Sequence, residues 1–141
     1  MRTFLLGLFT LVALSGHAQT TALAVPEKAV SQLEKMLRQT QTEVVVGKKA
    51  STLPAETRPV LNKILVQSTK DFLAITARKP TKEAYFQSLD ESLTRLSALV
   101  TQAEDREQVA EYFQDLLDIV GLESSEGRLN AFVEGSSVAK Q

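Results

Sequence analysis

The chain has no cysteine, no tryptophan and a single histidine, His17. Without cysteine there is no disulfide framework, no Cys/His zinc site and no thiol nucleophile. With its one histidine at position 17, a Ser-His-Asp arrangement has no base once an N-terminal leader is removed. The chain also lacks a charge excess: 16 Lys and Arg stand against 17 Asp and Glu, a net charge of −1. General affinity for nucleic acid needs a surplus of cations to meet phosphates, so nucleic acid is not an expected partner. No cofactor and no metal site is expected either. The acidic residues have no EF-hand order, and Gly121-Leu122-Glu123-Ser124-Ser125-Glu126-Gly127 lacks the lysine and preceding strand of a phosphate loop. That stretch reads as a helix-to-helix turn.

Long apolar runs are scarce, with one exception. Met1-Arg2 gives a short positive start, Phe4 to Leu14 is almost unbroken apolar sequence, and Gly16-His17-Ala18 follows. This is the three-part layout of a signal peptide, too short for a stable membrane anchor, with cleavage expected between Ala18 and Gln19. The expected organisation is a leader over residues 1–18, a flexible lead-in over 19–25, a helical domain over 26–135 and a disordered tail over 136–141. The location implied is the periplasm or the exterior. No cysteine follows the leader to carry a lipid.

Charge is balanced overall but divided along the chain. Residues 19–82 hold 11 Lys and Arg against 5 Asp and Glu, whereas residues 83–141 hold 4 against 12. Either the halves face one another or are simply solvated, or they form a dipolar surface that steers a charged partner.

The periodicities point to an all-α fold, one domain of four main helices and a short fifth. Pro26 suits a first helical position, and Val30, Leu33, Met36 and Leu37 follow at helical spacing to about Thr40. Glu43-Val44-Val45-Val46 interrupts that pattern with three β-branched residues, a short extended segment near 43–46 that could be an edge for another chain. Arg58 resists helical geometry before Pro59, so the second helix is placed from Pro59 to about Thr76, with Leu61, Ile64, Leu65, Phe72 and Ile75 inward. Thr81 caps a third, whose stripe is Tyr85, Leu89, Leu93, Leu96 and Val100. Thr101-Gln102-Ala103-Glu104 matches a capping box for the fourth, which buries Val109, Tyr112, Phe113, Leu116 and Val120 and stops at Gly121. Ser124 or Ser125 caps the last, with Leu129, Phe132 and Val133 buried and Gly135 at its end.

One polar pattern stands out. Glu104, Glu107, Glu111, Asp115 and Asp118 step by three or four residues and form a single carboxylate ridge opposite the apolar stripe. Like charges at that spacing cost about 0.2–0.5 kcal/mol per pair. Such a ridge is either a face that is solvated or paired internally with Lys48, Lys49, Arg78, Lys79 or Lys82, or a site for a cation or a basic partner.

Glu104-Asp105-Arg106-Glu107, Tyr112-Phe113, Asp118 to Ser125 and Leu129-Asn130 together resemble a pattern of small helical bacterial proteins grouped as a domain of unknown function. The resemblance spans roughly residues 81–135 and implies a helical domain; no activity and no catalytic residue comes with it. The functional expectation is an exported, non-enzymatic protein-binding module, inhibitor or immunity-like, that meets a basic protein surface through the ridge. A carboxylate-only hydrolase and a carrier of a small apolar ligand are the alternatives.

Overall fold

A computed structural model describes residues 22–42 and 53–135. The leader, the 43–46 segment and the 136–141 tail lie outside the described residues. Within them the chain is all-α: α1 (Ala29–Thr42), α2 (Thr57–Arg78), α3 (Lys82–Leu99), α4 (Ala103–Ile119) and α5 (Arg128–Glu134). α1 packs along α2, α2 along α3 and α4 along α5, while α1 also meets α4 and α3 meets α5.

The starts of the first two helices differ from expectation. Pro26 is not helical; its carbonyl accepts from the Ala29 amide at 3.0 Å, and α1 begins there, leaving Glu27 outside its first turn. The buried positions of α1 become Ala29, Leu33 and Thr40, and Val30 is turned to solvent. α2 begins at Thr57, two residues before Pro59. The first four amides of a helix have no intrahelical partner, so the N–H that proline lacks is not missed there. Leu61, Leu65 and Phe72 are fully buried, and the middle of the α2 face is filled by Ser68 and Thr69.

α3 follows the sequence pattern closely. Thr81 is its N-cap, its hydroxyl accepting from the Ala84 amide at 3.1 Å, and the whole Tyr85, Leu89, Leu93, Leu96, Val100 stripe is fully buried. α4 differs at its start, where Gln102 is the N-cap with no side-chain hydrogen bond, so the Thr101–Glu104 box does not form. Its end is a Schellman motif. Gly121 adopts φ 89°, its amide reaching Asp118 O at 3.1 Å and the Leu122 amide reaching Leu117 O at 2.8 Å. A Cβ at Gly121 would lie 3.4 Å from Pro26 Cδ, so the positive φ and not crowding is what calls for glycine.

The N-cap of α5 is Gly127, in the left-handed region, and not a serine; Ser125 Oγ nevertheless accepts from the Leu129 amide at 3.1 Å. Gly135 ends it at φ 81°. The expected lead-in is pinned where it is described. Ala22 forms an antiparallel bridge with Thr81, the Leu23 amide donates to Pro80 O at 2.8 Å, and Leu23 and Val25 pack on the core. All six aromatics of the helices are buried.

Candidate functional site

α4 places the carboxylate ridge. With Val109, Tyr112, Phe113, Leu116 and Leu117 buried on one side, the helical period leaves Glu104, Glu107, Glu111, Asp115 and Asp118 exposed on the other. No Lys or Arg among the described residues forms an ion pair with the ridge. Lys82 instead holds Glu126 at 2.7 Å, the one ion pair among the described residues that joins the basic and acidic parts of the chain. Lys48 and Lys49 lie outside the described residues.

The ridge residues do not act as one cluster. Glu111, Asp115 and Asp118 border a groove of about 590 Å³ between α1 and α4, whose other walls include Gln32, Lys35, Met36, Gln39, Tyr112 and Ile119. Glu104 and Glu107 lie outside it. Partial desolvation raises the Asp115 carboxyl above the usual carboxylate range, and the charges of Asp118 and Glu111 raise it further. Gln114 Nε2 donates to Asp118 Oδ1 at 2.8 Å and fixes that carboxylate. Among the described residues no group of three His, Cys, Asp or Glu side chains is placed to hold a metal ion.

Behind the groove, Tyr112 ties three helices together. Its hydroxyl lies 2.8 Å from Thr40 Oγ1 on α1 and 2.6 Å from Thr69 Oγ1 on α2. Each threonine also reaches a carbonyl one turn back, Met36 O at 2.8 Å and Leu65 O at 2.9 Å. Burial pushes the phenol up, against the two hydrogen bonds.

Two arginines anchor α5. Arg106 donates from Nε to Val100 O at 2.8 Å, from Nη2 to Ser97 O at 3.0 Å and from Nη1 to Phe132 O at 2.6 Å. These are carbonyls at the C-terminal ends of α3 and α5, where the helix dipole favours a cation. Its guanidinium also sits 4.9 Å from the Phe132 ring centroid. Arg128 lies 4.2 Å from the Phe86 centroid, and its Nε donates to Asp90 at 2.9 Å. The hydrogen bond between Lys82 and Glu126 raises the ammonium and lowers the carboxyl, but both are well exposed, so the pair contributes little. Asp105, beside Arg106, is fully buried.

Residues 24–137 match the family described as a domain of unknown function, DUF4844. The chain belongs to that family. The match extends the sequence resemblance over α1 and α2, and it takes in the groove, the Tyr112 hydroxyl cluster and both arginine anchors. No curated protein and no solved structure matches the chain. Within this DUF4844 domain the Glu104-Asp105-Arg106-Glu107 run separates into two roles by position. Asp105 and Arg106 belong to the interior, Glu104 and Glu107 to the surface. Pattern reading took only the outer pair, because charge spacing says nothing of which carbonyls a guanidinium reaches. The α1 wall of the groove was also missed. Gln32, Lys35 and Gln39 read as an ordinary polar face, and Tyr112 as one member of a core stripe.

Proposed function

We propose that this DUF4844 domain is a binding module that docks a basic, partly apolar segment of a partner protein in the α1–α4 groove. One observation carries the reading: three exposed carboxylates, Glu111, Asp115 and Asp118, border a groove that also presents Met36, Tyr112 and Ile119. A lysine or arginine side chain laid there would bring its aliphatic stem against the apolar residues and its charge to the carboxylates. It would also offset the burial and, after it, the Asp118 and Glu111 charges that raise the Asp115 carboxyl. Exposed carboxylates on one rim suit steering of a cationic partner, which appears as an association rate that falls with salt.

The test uses a helical Lys/Leu peptide as probe. Glu111→Gln, Asp115→Asn and Asp118→Asn combined should weaken binding at least tenfold, and the wild-type association rate should fall steeply with salt across about 0.05–0.5 M. Equal affinity of the triple variant would overturn the reading.

The same proposal includes export, supported by the Met1 to Ala18 pattern. In a Gram-negative host the protein should be recovered from the periplasm with Gln19 at its N-terminus; an intact Met1 form confined to the cytoplasm would refute it.

A further inference from the structure

A second groove, about 370 Å³, runs between α2 and α3 and is lined by Asp71, Ala74, Ile75, Ala84, Ser88 and Glu91, with Gln87 at its rim. It lies between the two hydroxyl ties that join these antiparallel helices, Ser68 to Ser92 at 2.6 Å and Thr76 to Tyr85 at 2.7 Å. Ser88 differs from its neighbours. The buried hydroxyls of Thr40, Ser68 and Thr69, and the half-buried ones of Thr76 and Ser97, each donate to the carbonyl four residues back. Ser92 has Ser68. Ser88 is 8% exposed, and its Oγ is buried without a hydrogen-bond partner. Buried hydroxyls are normally satisfied, so this one is an unused donor and acceptor in the groove floor.

The walls supply charge of one sign. Gln67 Nε2 donates to Asp71 Oδ1 at 2.9 Å and Gln87 Nε2 to Glu91 Oε1 at 3.5 Å, so each carboxylate is tethered by a glutamine one turn before it. No Lys or Arg among the described residues pairs with either acid. Ala74, Ala84 and Ile75 are the apolar part of the groove's lining.

We propose that this groove binds a free primary alkyl amine. Its ammonium sits between Asp71 and Glu91 and donates to Ser88 Oγ, and its alkyl chain lies along Ala74, Ala84 and Ile75. The fit is chemical: two carboxylates and one hydroxyl acceptor match three N–H donors, and a groove of this volume holds a short chain. This site is separate from the α1–α4 groove and does not depend on it.

The experiment follows backbone amide shifts of the intact protein on titration with n-pentylamine, with n-pentanol as the uncharged control and Nα-acetyl-lysine amide as a side-chain mimic. Pentylamine should shift the amides around Ala74, Ala84 and Ser88 saturably, and pentanol should not. Ser88→Ala should weaken pentylamine binding about tenfold while leaving the melting temperature unchanged or higher, because it removes an unpartnered hydroxyl. Asp71→Asn with Glu91→Gln should abolish the shifts. Equal shifts from pentanol, unchanged affinity of Ser88→Ala, or tighter binding of the lysine amide than of pentylamine would overturn the assignment.

Discussion

The two faces of α4 are made from the same seventeen residues and behave as different materials. On the inner face Tyr112 and Phe113 meet edge to face at 5.8 Å, and Val109, Leu116 and Leu117 close the core. Of the two charges turned inward, Asp105 and Arg106, the arginine is satisfied by backbone carbonyls of other helices. On the outer face the charges are carboxylates that form no ion pair among the described residues, and Lys35 of α1 stands on the opposite wall of their groove. The inner face is thus built to satisfy every group, while the outer face leaves a net demand for positive charge. Stability should be decided by the first and binding by the second.

Phe113→Ala tests that division most severely. Removing a fully buried ring should cost about 3–5 kcal/mol in urea unfolding, close to the whole stability of many domains. Arg106→Ala should follow at about 2–4 kcal/mol, because it strands three part-buried carbonyls. Arg106→Lys should recover little of this, since a lysine cannot fork to three acceptors. A cost below about 0.5 kcal/mol for Arg106→Ala would show that water replaces the guanidinium, and the contrast between the faces would blur. Tyr112→Phe should cost only about 0.5–1.5 kcal/mol, as both threonines keep their carbonyl partners.

The outer face should invert the sign. Glu107, Glu111 and Asp115 changed together to lysine should leave the melting temperature unchanged or higher; a sharp drop would mean that the ridge is paired after all. Asp115→Asn alone sharpens the point. Its carboxyl is raised in the folded protein, so the charged form destabilises above that range, and the penalty vanishes once pH falls below the ordinary carboxylate value. The variant should therefore melt about 1–3 °C higher at neutral pH, with the difference disappearing below roughly pH 4.

How much of this was legible depends on whether a residue's role is set locally. The α3 stripe, the Thr81 cap and the glycine stop at Gly121 are local, and pattern reading places them correctly. Helix starts are less local. Pro59 tolerates two helical residues before it because the amide it lacks is among the first four, which need no intrahelical partner, and the turn from Pro26 toward Ala29 looks in sequence like a first helical turn. The Thr101–Glu104 box fails for a related reason: the N-cap falls one residue late, at Gln102, so threonine and glutamate no longer stand at the paired positions. The candidate site was half visible. The carboxylates follow from period alone, whereas the α1 wall and the reach of Arg106 depend on contacts between segments far apart in the chain.

The Tyr112 cluster carries a consequence in proton counting. Three hydroxyls share four short oxygen contacts, Thr40 to Met36 O, Thr40 to Tyr112, Thr69 to Tyr112 and Thr69 to Leu65 O, and they bring only three hydrogens. One contact is always vacant, and the vacancy can occupy any of the four places by rotation of a hydroxyl, with no heavy atom moving. Replacing Tyr112 by phenylalanine would leave two hydrogens for two contacts and freeze that shuffle. Tyr112 and Thr40 also line the α1–α4 groove. The missing hydrogen is therefore a property of the buried wall behind that groove, where Thr40 is fully covered.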